Sequence, residues 1–170
     1  MLRPFQGIYV LELSAWKKEA NQMKELLSDE RPSLENKFKP LFSSLTDEWR
    51  TPQSLYEQLD SEFHFDHDPC PMVDGFRTCD GLGDWKQRNF INPPYSKVKT
   101  WIKHGYEQSI KGKLCVFLVA ARTDTTWFHE YVLPYAKEVR FIRGRLNFST
   151  GKFNAPFPSC IIVFDGRQEK

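Results

Sequence analysis

The residues best suited to chemistry sit in one short stretch, Phe90 to Lys97, which reads FINPPYSK. A short apolar run with the character of a strand ends there in Asn92, Pro93, Pro94 and Tyr95. Proline has no N–H and a fixed φ, and it pushes the residue before it into extended backbone. Asn92 and Pro93 are therefore held stiffly, with carbonyl oxygens that no local N–H readily claims and an aromatic ring close behind. A ligand that offers N–H donors and a flat face suits such a loop.

Asp68-Pro69-Cys70 and Arg122-Thr123-Asp124 stand in comparable places, each just after a strand-like run. Nearby, His64, His67, Cys70 and Cys79 fall within one short region. Strand alternation would send His64 and His67 to opposite faces, and the spacings are not those of a zinc site, so no metal is expected. The four cysteines form no C-x-x-C pair. A cytosolic setting, expected for this chain, argues against disulfides.

Elements that position these residues alternate along the chain. PQSLYEQLDSEF reads as a helix with Thr51 as N-cap and Pro52 at its first position. FHFDHD reads as a strand, NFI as another, and KVKTWIKHGYEQSI as a helix with Val98, Trp101, Ile102 and Tyr106 on one side. The continuous apolar run LCVFLVA suits a strand buried on both faces. DTTWFHEYVLPYA follows as a helix capped by Asp124, with Trp127, Phe128 and Tyr131 as core residues, and EVRFI and SCIIVFD complete the strands. Such alternation implies an open α/β sheet whose ligands sit beyond the carboxyl ends of the strands.

The N-terminal part differs in kind. Tyr9, Leu13, Trp16, Ala20, Met23 and Leu27 make one apolar stripe, which predicts an amphipathic helix that either packs on its own domain or forms an oligomer seam. The charged, proline-broken SDERPSLENKFKP then reads as a linker. Residues 1–41 are thus expected to be helix and linker, and 42–170 the main domain. In all, 170 residues with 40% hydrophobic and 27% charged content and a net charge of +2 describe an ordinary globular chain. No apolar run approaches the ~20 residues of a membrane span, and no secretion signal opens the chain, so a cytoplasmic protein is expected.

The ordered motifs DEWRTP, FDHDPCP, DGLGDW, NPPYSK, VAARTDTTWFHEYVLPYA, RFIRGRLNF and APFPSCIIVF cover about Thr46 to Asp165. Together they resemble the phage-type DNA N-6-adenine methyltransferases, encoded by bacteria, phages or mobile elements. The resemblance implies a Rossmann-like fold with a mostly parallel open sheet, helices on both faces and an antiparallel C-terminal strand. It also implies S-adenosylmethionine as cofactor and double-stranded DNA as partner, with the target adenine flipped out of the helix. An aromatic amine is a poor nucleophile until its two N–H groups are held so that nitrogen becomes pyramidal, and Asn92 and the Pro93 carbonyl would hold them. Tyr95 would stack on the extruded base.

For the cofactor, the resemblance implies Thr51, Pro52, Asp68, Pro69, Asp84 and Asn92, with Asp84 accepting from the cofactor's adenine amine and Asp80 or Asp74 on the ribose. No G-x-G follows the first strand, where DPCP stands instead. For DNA, Arg140, Arg143, Arg145 and Lys152 interleave with Phe141, Phe148 and Phe153 in a pattern that suits a nucleic-acid backbone and exposed bases. Arg122 suits a phosphate, Phe157 the wall of a base pocket, and Lys97, Lys99 and Lys103 an extension of the phosphate track. Methylation of RNA adenine or of a protein glutamine amide by the same loop, and a non-catalytic nucleic-acid-binding module, are the competing readings.

Overall fold

All seven residues of Leu114–Ala120 are buried, and they form β6, one strand in from an edge of a six-stranded sheet. In a computed structural model, the structure describes residues 3–5, 8–12, 50–73, 76–77, 81–147 and 155–167. The chain order is β1 (Arg3–Phe5), β2 (Ile8–Glu12), α1 (Gln53–Phe63), β3 (Met72–Val73), β4 (Phe76–Arg77), β5 (Arg88–Ile91), α2 (Val98–Ile110), β6, α3 (Leu133–Tyr135), β7 (Glu138–Ile142) and β8 (Ser159–Asp165). Strands pair in the order β1-β2-β7-β8-β6-β5, while β3 and β4 make a separate hairpin.

The sheet is mixed, and the expectation of a mostly parallel one does not hold. Only β5 and β6 pair in parallel, because β8 returns between β6 and β7 antiparallel to both, and β2 and β1 add antiparallel at the far edge. A continuous apolar run reports burial on both faces and is silent about strand direction. The C-terminal strand β8 is antiparallel, as expected. Ile8–Glu12 is strand, not the start of the helix expected from Tyr9, and it joins the same sheet as the later elements. The rest of that stripe and the linker lie outside the described residues.

Helices cover both faces. Leu55, Leu59 and Phe63, four apart, are the buried stripe of α1 and pack with Leu114, Val116, Leu118, Ile161 and Val163 on one face. On the other face Trp101 and Ile102 of α2, with Trp127, Phe128 and Val132, pack on Cys115, Phe117, Val119 and Ile162. Gly105 brings α2 onto the sheet, since a Cβ there would lie 2.3 Å from the Phe117 ring.

Local chemistry sets the ends. His64 leaves α1 in the left-handed region at φ 53°, its N–H donating to Asp60 O and the next N–H to Asp60 Oδ1. FHFDHD is therefore not a strand: Phe63 ends the helix, and only His67 bridges β5, opposite Asn89. The helical stretch 126–135 contains a π-turn at Phe128–Val132, where the Leu133 N–H reaches back to Phe128 O. Pro134 has no N–H to continue the regular ladder, and this accounts for the wider turn. Thr125 O, rather than an Asp124 cap, accepts the first N–H bonds, from Phe128 and His129.

Candidate active site at the carboxyl ends of β5, β6 and β7

Strands β6 and β7 are both antiparallel to β8, and β5 is parallel to β6, so β5, β6 and β7 run the same way. The loops that follow them, and the segment entering β8, consequently meet at one edge of the sheet. Asn92 stands first beyond β5, 6% exposed, and its Nδ2 donates to Thr51 Oγ1 at 3.1 Å. Thr51 makes no side-chain cap on α1; Pro52 takes the cap position instead, its carbonyl accepting from Leu55 and Tyr56 N–H. The hydroxyl expected to serve the helix serves the loop.

Pro93 is buried and Pro94 half-buried. Lys97 N–H donates to Pro94 O at 3.0 Å and closes the 3-10 turn Tyr95–Lys97, which commits that carbonyl to the turn. The Tyr95 ring meets Phe157 edge-on, with centroids 4.9 Å apart and planes at 79°. Thus the residue that follows the prolines touches the segment that enters β8.

A cavity of about 210 Å³ lies beside Asn92. Arg50, Thr51, Gln53, Asp68 and Asn92 give it polar walls, and Tyr56, Cys70, Met72 and Phe90 give it apolar ones. The N-terminus of α1, whose free N–H groups and dipole favour an anion, opens onto it through Thr51 and Gln53. Asp68 Oδ1 accepts the Cys70 N–H at 2.8 Å and sets the shape of that turn. Behind it Gly81, at φ 50°, presses so close that a Cβ would lie 1.8 Å from Pro69 O. Trp85 Nε1 donates to Gly81 O at 2.5 Å, and the Trp85 ring stacks on Trp101. The stretch 81–85 therefore buttresses the cavity wall.

The same motifs decide the relationship. A family model described as DNA N-6-adenine-methyltransferase (Dam) matches residues 40–164. The chain belongs to the DNA N-6-adenine-methyltransferase family. No curated protein and no solved structure matches it. The family's reaction is methylation of adenine N6, with DNA as substrate.

Within this family member, the residues singled out from sequence do not all converge. Thr51, Asp68 and Asn92 line one cavity, with Pro52 and Pro69 adjoining them. Asp84 stands apart: it is exposed and pairs with Lys113 Nζ at 2.6 Å and Lys111 Nζ at 3.5 Å, just ahead of β5 and β6 and at the opposite end of those strands. The Lys113 hydrogen bond pulls its carboxyl below the ordinary range. Lys113 is buried and donates also to Gln108 Oε1 and Trp85 O. Asp84 therefore belongs to a structural clamp, not to the cavity. Asp74 and Asp80 lie outside the described residues.

Arg122, half-buried, follows β6 at the site edge, and its carbonyl accepts from Thr125 N–H and Oγ1. Arg143 and Arg145 are exposed on either side of Gly144 beyond β7. Arg140 is different, for its guanidinium binds Glu62 and Glu138 and covers the Phe63 ring at 4.9 Å. Burial alone lowers its pKa, but the two carboxylates outweigh that and raise it. Lys99 pairs with Glu130 and Lys103 with Glu107, while Lys97 is exposed. Lys152, Phe148 and Phe153 lie outside the described residues.

Sequence reading missed Arg50, Gln53, Tyr56, Cys70, Met72 and Phe90 as cavity residues. Phe90 was within reach, because it shares a strand face with Asn92 two residues on, and so was Tyr56, one helical turn beyond Gln53. Among the described residues no group of three or more His, Cys, Asp and Glu is arranged for a metal, and His67 Nδ1 instead bonds Asn89 Oδ1 at 2.9 Å. None of their helices is long and apolar enough to cross a membrane.

Proposed function

We propose that this chain transfers a methyl group from S-adenosylmethionine to the exocyclic N6 amine of adenine in DNA, at the Asn92–Tyr95 loop, on a base turned out of the duplex. The observation that carries the reading is the Asn92–Thr51 hydrogen bond, which ties the loop to the wall of the cavity. With Nδ2 engaged by Thr51, the planar amide has a defined orientation, and its Oδ1 serves as one acceptor for the amine. The Pro93 carbonyl serves as the other. Two such acceptors favour a pyramidal nitrogen whose lone pair is directed away from the ring, so positioning rather than a strong base supplies the rate.

The residues around the cavity fit the cofactor. A carboxylate suits Arg50 and the N-terminus of α1, hydroxyl or amine donors suit Asp68, and a planar base suits Tyr56, Phe90 and Met72. S-adenosylmethionine supplies, when bound, a sulfonium methyl as the electrophile. Tyr95 stacks on the extruded adenine, and Phe157 holds the Tyr95 ring from the side. Arg122, Arg143 and Arg145, at the same edge of the sheet, take the phosphates.

Incubating the protein with labelled S-adenosylmethionine and unmethylated DNA, followed by nucleoside analysis, tests this. N6-methyladenine should appear, and Asn92→Ala should abolish it. Cofactor binding without any label in DNA would move the acceptor elsewhere, and no cofactor binding would end the enzymatic reading.

A further inference from the structure

The wall opposite the loop holds a polar atom that the fold does not use. Ser159 opens β8, is 1% exposed, and among the described residues its Oγ has no hydrogen-bond partner. Buried hydroxyls are ordinarily paired, and an unpaired one works against folding. The register partner of Ser159 on β6 is Ala120, whose methyl side chain offers the hydroxyl no bond.

Its location suggests what the oxygen meets. Along β8, Cys160, Ile162 and Phe164 face α2, and Ile161 and Val163 face α1, so alternation puts Ser159 on the α1 side. Ala120, Phe157 and Phe90 share that side, and Tyr95 packs against the same cluster. Phe157, two residues before Ser159, is the ring that meets Tyr95. Pro158 O accepts the Ala121 N–H at 2.9 Å and holds this entry segment against the loop that follows β6. Ser159 is thus anchored in the segment that borders the base site.

The chemistry of that site leaves a gap which a hydroxyl fills. Acceptors at Asn92 and Pro93 hold an exocyclic amine, and cytosine N4 offers the same two N–H groups as adenine N6. Stacking on Tyr95 is indifferent as well, since every base has a π-face. Choice of adenine therefore requires a polar group at a part of the ring edge that cytosine lacks: adenine N1 has its counterpart in cytosine N3, whereas N7 has none, and a serine hydroxyl can donate to it. We infer that the Ser159 hydroxyl hydrogen-bonds N7 of the turned-out adenine and makes this residue a determinant of adenine over cytosine. The inference rests on the proposed methyl transfer at the Asn92 loop.

Ser159→Ala removes the oxygen and adds no bulk. For this variant kcat/KM for N6-methyladenine in mixed-sequence unmethylated DNA should fall by about tenfold, as for loss of one hydrogen bond in the transition state. In the same digests N4-methylcytosine should rise relative to N6-methyladenine. The Tm should hold or rise, because the hydroxyl gives the fold no bond. An unchanged kcat/KM, an unchanged ratio of the two products, or a fall in Tm or failure to fold that marks a packing role would each overturn the inference. A wild-type protein that labels no adenine overturns the proposed function itself, and the wild-type reaction reads that separately.

Discussion

The Asn92 side-chain amide donates to the Thr51 hydroxyl across 3.1 Å, joining residues 41 positions apart in the chain. One of them ends the β5 approach to the loop, and the other stands just before α1 at the mouth of the cavity. The loop that follows β5 and the wall of the cavity are therefore a single bonded unit.

Thr51→Val keeps the volume and removes the acceptor, leaving the Asn92 amide without its orienting partner. Methyl transfer should fall about 10- to 100-fold in kcat, on the scale of a misoriented catalytic group, with a stability loss of about 1 kcal/mol. Thr51→Ser should restore most of the rate. Single-turnover kinetics on DNA at saturating cofactor checks this, and a Val variant with wild-type turnover would remove Thr51 from the mechanism.

Arg143 and Arg145 are exposed at the site edge. If each meets a phosphate, replacing one with alanine weakens DNA binding and lowers the slope of log K against log salt by about 0.9. Turnover on bound DNA should change little. Fluorescence titrations between low and moderate salt read the slope, and an unaltered slope in the double variant would place the DNA track elsewhere.

Asp165 gives a pH dependence of known sign. Burial alone raises its pKa, but hydrogen bonds from Arg167 and Lys137 overcome this and hold it at about 2, against an ordinary value of 3.8. A depressed carboxylate pKa contributes stability that is complete above about pH 4 and lost as pH falls toward 2. Asp165→Asn should therefore be less stable than wild type at pH 7, with the gap closing between pH 4 and 2. Urea unfolding across that range measures it; a gap of constant size would assign the effect to something other than the charge.

Arg140 holds the end of α1 to β7 through Glu62, Glu138 and the Phe63 ring. Arg140→Met leaves the partly buried Glu138 without its cation and should lower stability by about 2–4 kcal/mol, less than a fully buried pair because Glu62 is half exposed. Arg140→Lys should recover part of this, as a point charge lacks the forked geometry. Chemical denaturation checks both, and a salt slope of DNA binding unchanged from wild type in either variant at low temperature would fit a residue that holds the fold and touches no phosphate.

Much of this was legible in the residues, for separable reasons. Leu114–Ala120 and Ser159–Asp165 announce themselves by burial on both faces, and Val98–Ile110 by its helical period. Direction is another matter, since the path of β8 between β6 and β7 depends on pairing that hydropathy does not encode. The polar–apolar alternation of FHFDHD looks like a strand, yet His64 turns left-handed to end α1. Asp84 sits in a motif just before β5 and still lies at the other end of it from Asn92, because a four-residue strand separates the two ends. Asn92, Tyr95 and Phe157 could be named from sequence, whereas the contact between Thr51 and Asn92 is a tertiary fact that no spacing reports.

The path of β8 has a consequence for the order in which the protein comes into being. Of the described strands the one latest in the chain, β8, is an inner one, and the segment leading into it carries the ring that meets Tyr95. During synthesis β6 and β7 lack the neighbour they share until β8 has emerged, and Tyr95 lacks the Phe157 ring until the segment before β8 has. A chain stopped short of β8 therefore leaves the facing edges of β6 and β7 open together, and the sheet closes late.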